Sequence, residues 1–300
     1  MDTTREQALL KFSIRVTMLV CIIAITAGVV SGSQAIIFDG IYSLLDVVLT
    51  LLSLAVSRLV ASEGSHRFQY GYWHLEPMVE ALGSAILSLI CIYAVINAAR
   101  TLLAGGSEIS FGMGALWIGV ISAIDFAMAI YIRRQARTME SGLLDLDARA
   151  WLLTGLLSVA VFISFLFALL LDGVGYAHLT RFVDPLVLLV VGIGMLPSPL
   201  RAAWRAMREV LQVAPDELDR QVQQVMAAFV AQHGFLGFTS HVAKVGRARF
   251  VEVHVLTAPD YSPGTIGEVD RMRDGIADQL DAHVPQFWLT IDFTADPDWT

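Results

Sequence analysis

At 300 residues, with 56% hydrophobic and only 16% charged side chains, a mean hydropathy of +0.64 and a net charge of −8, the chain is far more apolar than a soluble domain, in which roughly 25% of residues are charged. The composition is that of an integral membrane protein, and the acidic balance disfavours nucleic acid as a partner. Cys21 and Cys91 both lie inside apolar runs, which argues against a disulfide framework and against a thiolate metal centre.

Six apolar runs long enough to cross a bilayer follow in chain order, near 13–31, 35–57, 77–103, 112–132, 149–171 and 182–200. The first has no small-residue cleavage site behind it and is not read as a removed signal peptide. With both termini on the cytoplasmic side, twelve basic residues, among them Arg5, Lys11, Arg58, Arg133 and Arg201, flank that face. Only Arg100 and Arg181 flank the other, so the asymmetry sets the expected orientation. The link between the first two runs is little more than Ser31-Gly32-Ser33, which predicts an antiparallel hairpin.

The second run carries Asp39, Tyr42, Ser43 and Asp46, which share one face of a helix. An ionised carboxylate near the bilayer centre costs at least ~2.5 kcal/mol, so this oxygen-bearing stripe is expected to face a bundle interior or an ion path. The alternative is that these are structural polar residues bonded to neighbouring helices. The third run enters through Tyr70, Tyr72 and Trp73, which suit an interfacial belt, with His74, Glu76 and Glu80 beside them. The fourth holds one charge, Asp125, which is a functional-site hypothesis by position. The fifth opens with Asp145, Asp147 and Arg149, where Arg149 or the helix start could hold either carboxylate. In the sixth, Asp184-Pro185 reads as an N-cap followed by a first-turn proline. The spacing Asp39-x-x-Tyr42-x-x-x-Asp46 returns as Asp147-x-x-Ala150-x-x-x-Thr154 in the fifth run.

Beyond the amphipathic exit Arg201–Arg208, the character of the chain changes. From Gln212 onward there are 13 acidic and 6 basic residues, a charge of −7, against −1 for everything before. The predicted organisation is a six-helix transmembrane domain over 1–211 and a cytoplasmic domain over 212–300. In the latter a helix from Pro215, strands around 237–245 and 249–257, a helix opened by the capping box Thr265–Glu268, and a closing strand give the order αββαβ, an α+β fold.

Together these residues resemble the cation diffusion facilitator family over nearly the whole chain. The likeness rests on the six spans, the pattern ending Ser43-Leu44-Leu45-Asp46, the entrance Tyr70-Gly71-Tyr72-Trp73-His74-Leu75-Glu76, the Asp184-Pro185 pair, and the small C-terminal domain, which resembles a metallochaperone. The resemblance implies a transporter of divalent metal cations in exchange for protons, working as a homodimer in a lipid bilayer, with metal as substrate and no resident cofactor. It places ligands at Tyr42 and Asp46 in the second span and at Ala150 and Thr154 in the fifth. In the cytoplasmic domain it points to His254 and Asp292. Three of these depart from the pattern, since Tyr42, Ala150 and Thr154 stand where the family usually has His or Asp.

What remains inside the membrane is Asp39, Tyr42, Asp46, Asp125, Asp147 and Thr154, a donor set dominated by oxygen. Zinc favours nitrogen and sulfur in four-coordinate sites, whereas oxygen sites suit manganese or magnesium, with ferrous iron between. The expected function is proton-coupled efflux of a divalent metal cation from an atypical site, in the inner membrane of the cell. The competing reading is a non-transporting homologue that acts as a partner or regulatory subunit. A membrane enzyme is disfavoured, because the chain shows no nucleophile with a nearby base, no phosphate loop and no intramembrane His cluster.

Overall fold

The computed structural model describes residues 3–31, 43–62, 68–106, 114–284 and 286–299, which divide into two compact units, Met1–Ala206 and Met207–Thr300. The first unit is helical: α1 Thr3–Ser31, α2 Leu44–Ala61, α3 Leu75–Leu103, α4 Gly114–Met139, α5 Gly142–Gly173 and α6 Ala177–Met195, followed by α7 Pro197–Val210. The hairpin expected at 31–33 falls mostly outside the described residues. Among the described residues, Leu75–Leu103, of mean hydropathy 2.2, and Thr180–Val210, at 1.8, are long and apolar enough to cross a bilayer.

The first unit is packed inside out. Ser13, Thr17, Thr50, Ser53, Ser57, Glu76, Glu80, Ser84, Ser88, Asp125 and Asp147 are buried, while Leu19, Ile22, Val48, Leu89 and Val190 stand exposed. In water this arrangement would be costly on both counts; against hydrocarbon it is the favourable one, since lipid solvates leucine and the bundle interior satisfies hydroxyls and carboxylates. Leu10, Leu54, Met128, Ile132, Leu144 and Trp151 pack α1, α2, α4 and α5 together. A second cluster, with Val56, Leu87, Cys91, Leu146 and Leu153, sets α3 against α2 and α5. There Gly83 is a notch: a Cβ at that position would lie 2.5 Å from Leu146 Cδ2, so only glycine admits so close an approach.

Arginines gather at one end of this bundle. Arg5 donates to Gln135, Glu6 accepts from Ser57, and Arg149 donates to the Ser198 carbonyl, which brings together the start of α1, the end of α2, the end of α4, the start of α5 and the start of α7.

The fifth helix, expected to open at Leu144-Asp145, begins at Gly142, where Ser141 Oγ accepts from the Leu144 amide as an N-cap. Asp147 therefore lies more than a turn inside, and Arg149 pairs with Asp145 rather than with it. One expectation about a helix start is corrected: the sixth helix begins before Asp184, which is not its N-cap, since it starts at Ala177 and carries Pro185 in its interior. Proline leaves the carbonyl four residues back, that of Arg181, without its helical donor. Gly106, at φ 91°, lies against that same carbonyl, where a Cβ would overlap it.

The second unit is built around an apolar core. It consists of α8 Asp216–His233, β1 Gly237–Val245, β2 Ala248–Leu256, α9 Ile266–Gln279, β3 Phe287–Thr294 and a short 3-10 turn Pro297–Trp299. β2 is central, antiparallel to β1 and parallel to β3. Gly246, at φ 60°, takes the positive-φ position of the two-residue β1–β2 turn. Alternation puts Val251, Val253 and Val255 on the face that packs on Val222 and Met226 of α8 and Ile276 of α9. Glu252 and His254 consequently fall on the opposite face.

Candidate functional site

In the first unit α1, α2, α4 and α5 enclose a cavity of about 50 Å³ lined by Thr17, Val20, Ser43, Thr50, Ile121, Asp125, Asp147, Ala150, Trp151, Thr154 and Ser158. A buried water needs roughly 10–15 Å³ measured this way, so the space suits a partly dehydrated ion or a few waters. On α5 the residues 147, 150, 151, 154 and 158 follow helical spacing and turn one face to the cavity. Thr50 Oγ1 of α2 donates to Asp147 Oδ1 at 2.9 Å, and the second carboxylate oxygen, Oδ2, is buried without a hydrogen-bond partner among the described residues. Asp125 of α4 is 1% exposed, and Gly155 makes room for it: a Cβ there would stand 3.0 Å from the Asp125 Cβ. Trp151 Nε1 donates to Ser13 Oγ at 2.8 Å and holds the indole on the wall, while Thr154 Oγ1 donates to the Ala150 carbonyl at 3.2 Å.

Of the residues singled out from sequence, Asp125, Asp147 and Thr154 therefore meet at one cavity, with Ala150 between them. Asp46 lies in the first turn of α2, four residues before Thr50. Asp39 and Tyr42 lie outside the described residues. Among the described residues no three of His, Cys, Asp and Glu converge closely enough to hold a metal ion. What the described wall supplies is two carboxylates and several hydroxyls. Ser43, part of the stripe read from sequence, also lines the cavity, whereas Thr50, Thr17 and Ser158 were missed; the available signal was hydroxyl residues recurring at helical spacing inside apolar runs.

On the open face of the C-terminal sheet, His254 and Asp292 are neighbours across β2 and β3, with His254 Nδ1 3.9 Å from Asp292 Oδ2 and its Nε2 3.6 Å from Glu252 Oε1. The His241 ring of β1 stands 6.3 Å from that of His254. His241 and Glu252 were also missed, although strand alternation places both on this face. Elsewhere, the His74 ring stacks on Phe68, while Glu80 of α3 is buried and accepts from Arg205 of α7 at 2.6 Å.

Comparison with known proteins addresses the family of the chain. Residues 10–211 match the model of the cation efflux transmembrane domain. Two curated relatives are each 22% identical over 292 residues, covering 96% of this chain and 86% of their own length: the metal cation efflux system protein CzcD of Cupriavidus metallidurans and the cation efflux system protein CzcD of an Alcaligenes species. The cation efflux match takes in most of the chain, so this is a membrane protein belonging to the cation diffusion facilitator family.

Proposed function

We propose that the protein exports a hard divalent metal cation in exchange for protons, through the cavity between α1, α2, α4 and α5. The observation that carries this reading is the buried, oxygen-lined wall on which Asp147 keeps one carboxylate oxygen open. Asp46 is the central ligand, Asp125 and Asp147 flank it, Thr154 adds a weak donor, and Asp39 and Tyr42 complete the set from the stretch before α2. A carboxylate holds either a proton or a cation, so one site serves both, and loading protons releases metal. The donor chemistry favours manganese, magnesium or ferrous iron over zinc. The name of the Cupriavidus metallidurans relative, which specifies metal cation efflux, supports metal as the cargo. The working form is a homodimer in the cell's inner membrane with both termini cytoplasmic. On the C-terminal domain the metal-binding expectation for His254 and Asp292 is corrected: the two stand side by side, but among the described residues no third His, Cys, Asp or Glu converges with them closely enough to hold a metal ion, and they are assigned no metal site.

Cation flux into reconstituted vesicles under a pH gradient, screened over manganese, ferrous iron, magnesium, cobalt, zinc and cadmium, tests the proposal. Proton-coupled flux of manganese, magnesium or ferrous iron that is lost in Asp46→Ala supports it; flux confined to zinc or cadmium overturns the hard-cation reading, and full activity of that variant overturns the ligand assignment. A second reading, a non-transporting partner subunit, draws on Ala150, a cavity-wall residue with no donor atom. Absence of flux for every cation from a folded protein would favour it.

A further inference from the structure

Glu6 is 1% exposed although it lies in the first turns of α1, at the arginine-rich end of the bundle, and Ser57 Oγ donates to its Oε1 at 2.5 Å. From Ser57 the buried face of α2 continues through Ser53 to Thr50, at spacings of four and three residues, and Thr50 reaches Asp147 in the cavity wall. Opposite, α1 presents Ser13 and Thr17, also buried, and Thr17 itself lines the cavity. At 1.5 Å rise per residue, this oxygen-bearing seam spans roughly 10 Å between Ser57 and Thr50.

Hydroxyls alone in such a seam would be ordinary helix-to-helix adhesive. Ser53 and Thr17 do donate to carbonyls one turn back, at 3.0 Å each, but that bond occupies only the donor; the hydroxyl oxygen keeps lone pairs able to accept from water. A carboxylate adds nothing to adhesion that a leucine would not provide more cheaply. It does change the field at the mouth. Arg5 and Arg58 flank Glu6 and Ser57 in sequence, and a cation approaching such a rim is repelled unless an acidic group just inside it offsets them.

We propose that the α1/α2 seam is the surface that parts to hydrate the cavity from the arginine-rich end, and that Glu6 is the carboxylate at its mouth which draws a hydrated divalent cation inward. The Glu6–Ser57 hydrogen bond closes the seam in the conformation described. The inference deepens the reading of the cavity as the cargo site, and rests on it for the identity of what passes.

Single cysteines at Ser53 and Ser57, in full-length protein carrying Cys21→Ala and Cys91→Ala and reconstituted in vesicles, test the seam with a membrane-impermeant methanethiosulfonate. Leu52→Cys, on the outer surface of α2, is the control. The seam cysteines are expected to react at least about tenfold faster than the control, because a hydrated thiol ionises and one facing lipid does not. Saturating manganese should slow them. Reaction no faster than at Leu52→Cys overturns the proposal. If labelling is fast but no cation alters it and no flux is seen, the seam stands and the cargo reading falls. Glu6→Gln should raise the half-saturating cation concentration severalfold with the maximal rate retained; an unchanged flux curve removes Glu6 from the path.

Discussion

Thr50 and Asp147, 97 residues apart in sequence, are joined by a 2.9 Å hydrogen bond in which the hydroxyl donates to Oδ1 and ties α2 to α5 at the cavity wall. The bond holds one carboxylate oxygen and leaves Oδ2 buried without a hydrogen-bond partner among the described residues. Replacing Thr50 by valine keeps the volume and removes the donor. Hydrogen bonds to charged groups contribute about 1.5–3 kcal/mol, so Thr50→Val should weaken cation affinity roughly ten- to a hundredfold while Thr50→Ser stays near wild type. The half-saturation of flux reads this directly.

Asp147→Asn tests charge apart from shape. The amide oxygen can still accept from Thr50, so the helix pair is kept and thermal unfolding in detergent should move little or upward, a buried charge having been removed. Cation flux should fall to background. Retained flux would assign Asp147 to structure alone.

Glu80 is buried on α3, and its partner Arg205 on α7 is more than half exposed, with a side-chain exposure of 57%. Arg205→Ala leaves the buried carboxylate short of its cation, and because solvent still reaches the site the cost should be modest, about 1–2 kcal/mol. Changing both residues, Glu80→Gln with Arg205→Gln, should recover most of that loss. A thermal-unfolding double-mutant cycle checks the coupling.

In the C-terminal unit the backbone N–H of Thr265, and then its hydroxyl, donate to Glu268, which holds that carboxyl below its ordinary value of 4.5. A group whose folded pKa is lowered stabilises the fold above its unfolded pKa, and that contribution is lost as pH falls through the folded value. Thr265→Ala removes an N-cap and should cost about 1 kcal/mol at neutral pH. Acid titration of thermal unfolding in the wild type should show the corresponding loss.

Long apolar periodicity made the helices legible: the run expected over 77–103 is the helix Leu75–Leu103. Asp125 was legible for a related reason, as a lone charge in such a run stands out against its surroundings. Thr50 did not stand out, because a threonine that can bond the carbonyl one turn back is almost neutral to a membrane helix and only its neighbour across the interface gives it a task. Asp184 misled because local start signals are strong yet can be overridden by the surrounding packing: α6 runs from Ala177 and carries Pro185 in its interior. Asp147 was ambiguous until Ser141 was seen to set the start of α5. His241 needed the strand register, which residue order alone does not supply.

The Gly83 notch that receives Leu146 has a mechanical meaning. Leu146 and Asp147 are consecutive on α5, about 100° apart around its axis by the 3.6-residue repeat, so any roll of α5 that swings Asp147 away from the cavity must first unseat Leu146 from α3. The two helices are geared. In the proposed transport cycle a larger side chain at position 83 would push Leu146, and α5 with it, away from α3 without touching any residue of the cavity wall.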